Sequence, residues 1–162
     1  MAEPSPARAS TQVTQLIKAP REAVYRAFLD SDMVAEWQHP ENMRLQVHSF
    51  DPREGGTFRI SLTYRDLQES PDGMGGKSSG DSDTYHGRFE RLIPPSTIVE
   101  VVEFETQQPE FSGEMRITVR LADVEEGTEI TYLCEDIPPG VRPEDNIAGC
   151  QSSLQRLATL LE

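Results

Sequence analysis

Phe50-Asp51-Pro52-Arg53-Glu54-Gly55-Gly56-Thr57-Phe58-Arg59 lies between a helical opening and a long series of strands. Its two consecutive glycines let the backbone turn tightly before an alternating strand. In that strand Phe58, Ile60, Leu62 and Tyr64 alternate with Arg59, Ser61, Thr63 and Arg65, the period of a sheet with one buried face. Leu45, Val47 and Ser49 give a weaker strand just before it. Farther back, residues 11–18 read as a first strand, and Pro20 is expected at the first helical position, where its missing N–H costs little. Val24, Ala27 and Phe28 then share one helix face. Asp30-Ser31-Asp32 breaks this helix and caps a short second one ending near Trp37.

Downstream, residues 67–83 lose all periodicity and hold Pro71, Gly73, Gly75, Gly76 and Gly80, which predicts a long flexible hairpin loop. Strands are expected over 85–92, 98–104, 115–121 and 128–134, punctuated by Pro94-Pro95, Glu125-Glu126-Gly127 and Pro138-Pro139-Gly140. Pro143, Glu144 and Asp145 open a final helix with proline at its front and acids in its first turn. Along it Ile147, Cys150, Leu154, Leu157 and Leu161 form an apolar stripe that must pack on the sheet. The order of elements gives one sheet curled around one helix, with room between them for a small molecule.

A chain of 162 residues is read as a disordered tail over 1–10 and a single domain over 11–162. Its formal charge of −13, from 28 acids against 15 bases, repels nucleic acid and anionic lipid. No apolar run of membrane-spanning length and no signal-peptide core is seen, so a soluble cytoplasmic protein is expected. Cys134 and Cys150 are too few for a disulfide framework and read as buried free thiols.

Signals for chemistry are weak. Gly75-Gly76-Lys77-Ser78 resembles a phosphate loop, but Pro71 stands where that motif needs its first glycine. His39, His48 and His86 share no ligand spacing with one another, so no metal is expected. The chain is read as offering no nucleophile, metal cage or nucleotide cradle, and no cofactor is called for. Glu100 and Glu103 are three apart and point to opposite faces of their strand. One of them is directed at the core unless a bulge intervenes, and it then needs a raised pKa or a basic partner such as Arg88. Trp37 serves equally as core filler or as a ligand contact. Tyr64, Met115 and Tyr132 lie on apolar strand faces, as core first and pocket lining second.

Several of these segments together resemble the activator-of-heat-shock-protein-90-ATPase-like family, part of the lipid-transfer, polyketide-cyclase and birch-pollen-allergen-like superfamily. The matching pieces are Ala19-Pro20 through Val24 and Ala27, Trp37 with Pro40, and residues 51–59 with Arg53 and Gly55-Gly56. Gly87-Arg88-Phe89-Glu90 running on to Pro94-Pro95, Gly127-Thr128, and Gly149 followed by Leu154 and Leu157 complete the set. The likeness covers residues 13–162. It implies an α+β helix-grip fold: a curved antiparallel sheet wrapped around a long C-terminal helix, with two short helices after the first strand.

Two departures stand out. Gln38 and His39 replace a second aromatic after Trp37, and Cys150 replaces the tryptophan that usually follows the helix glycine. A thiol in place of an indole leaves volume near Cys150, either empty or filled by Trp37 and Tyr132. The leading expectation is therefore non-catalytic binding of a small hydrophobic or aromatic molecule, with Trp37, Tyr64, Arg88, Met115, Tyr132 and Cys150 as contacts and loop 67–83 as a lid. The alternatives are a cyclase- or hydrolase-like enzyme using Glu100 or Glu103 with His86 or Arg88, and a chaperone ATPase stimulator. A small hydrophobic ligand is the expected partner, with a homodimer as a further expectation.

Overall fold

The computed structural model describes residues 8–39, 43–64 and 82–162. The elements run β1 (Ala9–Ile17), α1 (Arg21–Leu29), α2 (Ser31–Trp37), β2 (Met43–Phe50), β3 (Thr57–Tyr64), β4 (Ser82–Ile93), β5 (Thr97–Phe104), β6 (Met115–Val124), β7 (Gly127–Ile137) and α3 (Pro143–Leu161). The strands form one curved antiparallel sheet in the order β1-β7-β6-β5-β4-β3-β2. This is the α+β helix-grip architecture expected from the sequence.

The glycine pair does what a tight connection requires. Gly55 has φ +80, and a side chain on Gly56 would meet the Asp51 carbonyl at 2.1 Å. The turn is also tied to the next strand but one. Gly55 N–H donates to the Phe89 carbonyl at 2.8 Å, Phe89 N–H to Gly56 O at 2.9 Å, and Leu92 N–H to the Glu54 carboxylate at 3.1 Å. These bonds occupy backbone groups beside the register shift between Phe89 and Arg91, where a bulge leaves ladder groups unpaired. The quoted stretch therefore fixes both the β2–β3 hairpin and the bend of β4.

Alternation sorts each strand onto two faces. Phe58, Ile60, Phe89, Ile98, Ile117, Val119 and Ile130 are buried on the inner face with Val24, Ala27 and Phe28 of α1. Phe50, Phe58 and Phe89 pack as rings, with Phe89 centroids 5.5 Å and 5.1 Å from the other two. Gly87 makes space for this cluster: a Cβ there would lie 2.6 Å from the Phe58 ring and 2.5 Å from the Val101 carbonyl. Asp30 caps α2 as expected, accepting from Asp32 N at 2.9 Å and Met33 N at 3.3 Å.

Three local expectations are corrected. β1 begins at Ala9, so residues 9 and 10 are strand rather than tail, because Ala9 pairs with Ile137; residues 1–7 lie outside the described residues. Pro20 is the N-cap of α1, with extended backbone at ψ 150, and its carbonyl accepts from Ala23 and Val24. Ser82 and Asp83 belong to β4 and not to the loop, since they pair with Thr63 and Leu62. The rest of that loop, with its suggested role as a lid, lies outside the described residues.

Candidate functional site: a cavity between sheet and helix

The apolar stripe of α3 packs unevenly. Leu154, Leu157 and Ala158 are buried against the sheet, whereas Ile147 and Cys150 are only half-buried. The cause is side-chain size. The first half of the helix turns Asn146, Gly149, Cys150 and Ser153 toward the cavity; all are short, and Asn146 and Cys150 touch the sheet only at β1 and β7. A cavity of about 520 Å³ remains between them and the concave face.

Its sheet wall is built from Leu62 and Tyr64 of β3, Tyr85 of β4, and Glu100, Val102 and Phe104 of β5. Met115 and Ile117 of β6 and Tyr132 of β7 extend it toward the helix. Trp37 and Gln38 close the end nearest α2. Trp37 is held by a hydrogen bond from its indole N–H to the Ala27 carbonyl at 2.9 Å and an edge contact to Phe28 at 4.7 Å. It is thus both core filler and cavity wall.

At one side of the cavity α3 meets β1 and β7 through a small polar group. The Thr11 hydroxyl and the Cys150 thiol both donate to Asn146 Oδ1, the latter at 3.9 Å. Cys134 and Cys150 are free thiols in mutual contact. Their hydrogen bond lowers the pKa of Cys134 below the ordinary thiol range, helped by Thr11 and Asn146, and raises that of Cys150, which burial pushes the same way. Space and aromatic rings both adjoin Cys150, as the missing indole implied.

Glu100 answers the question of which glutamate faces inward. It is only 6 % exposed, on the same face of β5 as Val102 and Phe104, and burial raises its pKa to about 7. Tyr85 and Tyr132 are likewise pushed up, first by burial and then by charges that include Glu100. Glu103 shares the opposite face with Val101.

Of the residues singled out from the sequence, Trp37, Tyr64, Met115, Tyr132 and Cys150 line the cavity, and Arg88 does not. Arg88 is corrected because it alternates with Tyr85 and Phe89 on β4: its guanidinium lies on the outer face and donates to Glu114 at 2.9 Å. His86 is outside for the same reason, against Glu105 at 3.3 Å, beside the paired Arg59. Neither can serve Glu100. The wall residues not singled out, Tyr85 and Phe104 above all, carried a signal in the alternation of their strands. His39 is buried and partnered.

Among the described residues no group of three or more His, Cys, Asp or Glu side chains could hold a metal ion, and no helix is long and apolar enough to cross a membrane. The glycine-rich segment, including Gly75-Gly76-Lys77-Ser78, lies outside the described residues. Gly76-Lys77-Ser78-Ser79-Gly80 has the spelling of a nucleophile elbow, contrary to the expectation that the chain offers no nucleophile motif. Both motifs need a helix to follow, and the next described element is strand β4.

Residues 18–162 match the family described as "Activator of Hsp90 ATPase homolog 1-like protein". The chain belongs to this family. No curated protein matches the sequence. Among solved structures, protein CV1439 from Chromobacterium violaceum is 30% identical with a TM-score of 0.82, the match covering 94% of this chain and 96% of that one. A protein from Rhodobacter sphaeroides shares the fold at 18% identity and TM-score 0.75, covering 97% and 95% of the two chains. An AHSA1-like protein from Aeromonas hydrophila does so at 19% identity and TM-score 0.66, covering 93% and 90%.

Proposed function

We propose that this member of the family binds a small hydrophobic or aromatic molecule in the cavity between sheet and helix and carries it without chemical change, in the cytoplasm. The observation that supports this most is the cavity itself. Its volume of about 520 Å³ falls within the range of roughly 300–1,000 Å³ typical of small-molecule sites. Its walls are largely apolar and aromatic, with few polar groups to orient a guest. Burial of the guest's apolar surface supplies affinity, at about 25 cal/mol per Å². The family description names a chaperone ATPase activator. A carrier needs an internal cavity and a surface-acting stimulator does not, which favours the carrier.

A panel of hydrophobic compounds in thermal denaturation tests the reading. A guest specific for the native state at a hundredfold over its Kd adds about 2.7 kcal/mol of stability, seen as a rise in Tm. Cys150→Trp restores the family's indole and fills the space, so it should keep the fold and abolish that rise. A panel that leaves Tm unmoved counts against the carrier.

A second reading draws on Glu100 alone. A carboxyl group titrating near neutrality is suited to general acid–base work. With His86 and Arg88 on the outer face, a cyclase- or hydrolase-like reaction would have to proceed with Glu100 beside Tyr85 and Tyr132. Turnover of an aromatic polyketide, lost in Glu100→Gln, would favour this reading.

A further inference from the structure

We infer that the molecule received by this cavity carries a basic, hydrogen-bond-donating nitrogen that is seated against the Glu100 carboxylate. The inference rests on the carrier reading and narrows it from any apolar guest to amines, amidines and basic heterocycles with an apolar body.

Glu100 stands in the interior of β5, its register neighbours Phe89 on β4 and Ile117 on β6. It is more than nine-tenths buried and faces the cavity. Among the described residues no side chain forms a hydrogen bond or an ion pair with it. A buried carboxylate without a partner is costly, and a partner with excellent geometry is what offsets the cost. The described walls supply none: they hold Asp83, Glu100 and Asp145 and no lysine, arginine or histidine. Asp145 is satisfied by Arg142 at 3.1 Å, and Asp83 is also partnered. Glu100 is left as the group that a guest must meet.

The surroundings favour a cation. The chain carries a net charge of −13, whose field concentrates positive solutes. Trp37, Tyr64 and Phe104 are among the aromatic residues of the lining, a setting that suits an apolar body and tolerates a cation. A fatty acid or a phosphate headgroup would bring a second negative charge to a site whose described walls contain no counter-charge.

The pairing makes affinity depend on pH. Around the cavity with Glu100 are Tyr64 on β3, Asp83 and Tyr85 on β4, Tyr132 and Cys134 on β7, and Cys150 and Asp145 on α3; β6 and the end of α2 contribute only Met115, Ile117, Trp37 and Gln38. Burial holds Tyr85 and Tyr132 neutral, the hydrogen bond with Cys134 and then burial do so for Cys150, Asp145 is already ion-paired, and Asp83 is partnered. Glu100, with its pKa at about 7, is the carboxyl group that changes charge as the medium passes through neutrality; Cys134, lowered by its hydrogen bond with Cys150, is the other group here moved toward neutrality. A cationic guest favours its ionised form, so binding in mildly acidic solution expels a proton.

The test uses the full chain and three probes of one shape: naphthylethylamine, naphthylethanol and naphthylacetic acid. At about pH 8 the amine should bind about tenfold more tightly than the alcohol, the increment of a charge-assisted hydrogen bond, and the acid more weakly than either. At about pH 6 its calorimetric enthalpy should vary with the ionisation enthalpy of the buffer, reporting the released proton. Glu100→Gln should lose both the preference for the amine over the alcohol and the proton release. The pH profile of the unaltered protein gives a readout independent of any variant: amine affinity rising up to about pH 7 and then level. Binding of the acid as tightly as the amine, or an amine preference that survives Glu100→Gln, overturns the inference and leaves the carrier reading standing. Binding of none of the three overturns both.

Discussion

A carboxyl group enclosed by apolar and phenolic side chains holds its proton more tightly than one in water, and Glu100 is in that position. Its pKa is raised from 4.5 to about 7 by burial. The unfolded chain therefore releases this proton first. The contribution of Glu100 is fully present below about pH 4.5 and is lost as pH rises through about 7, reaching on the order of 3 kcal/mol. Glu100→Gln has no proton to lose. Urea denaturation of the two proteins without ligand should show equal stability in acid and a growing advantage for the variant up to neutrality. A constant difference across that window would mean that Glu100 is not desolvated. Gly87 makes the second prediction at this scale. The Cβ of Gly87→Ala would press on both the Phe58 ring and the Val101 carbonyl, and the backbone partner cannot rotate away. A loss of about 1–3 kcal/mol is expected by the same measurement.

Among the elements, α2 depends on its cap and α3 on its gradient of side-chain size. Asp30 accepts two backbone N–H groups at the start of a helix only seven residues long. Asp30→Ala should cost about 0.5–2 kcal/mol. Because α2 ends in Trp37, it should also shift tryptophan fluorescence; an unchanged spectrum would show that packing alone holds the indole. Both helix signals were legible in the sequence, since capping and the apolar stripe are local patterns. The gradient along α3 was legible only in part. The run Ala148-Gly149-Cys150 with Ser152 and Ser153 announces a thin helix face, and the replacement of an indole by Cys150 pointed to spare volume. What lay opposite that face, the tyrosines and Glu100, depended on the register of five strands. Arg88 shows the limit. A basic residue one position from Phe89 looks like a partner for a buried acid, yet alternation carries it to the other side of the sheet, where Glu114 takes it.

For the molecule as a whole, charge and topology act together. A net charge of −13 on 162 residues repels itself in the compact state. Raising sodium chloride from about 10 to about 200 mM shortens the Debye length from about 30 Å to less than 10 Å and should raise Tm. A Tm independent of salt would mean that self-repulsion of the net charge does not limit the stability of the fold. The sheet is open, with β1 and β2 as its outermost strands, and α3 packs chiefly over β1. That arrangement keeps the middle of the sheet, where Glu100 sits, available to a guest.

The sequence by itself determined the strands, the helices, the caps and the family, because period, turn chemistry and capping are properties of neighbouring residues. It also placed Glu100 and Glu103 on opposite faces of a regular β5, so that one of them points inward unless a bulge intervenes. The tertiary structure decided which one, which side chains surround it, and how much room is left. Those outcomes depend on the pairing of strands distant along the chain and on the distance at which a helix with small side chains comes to rest above them.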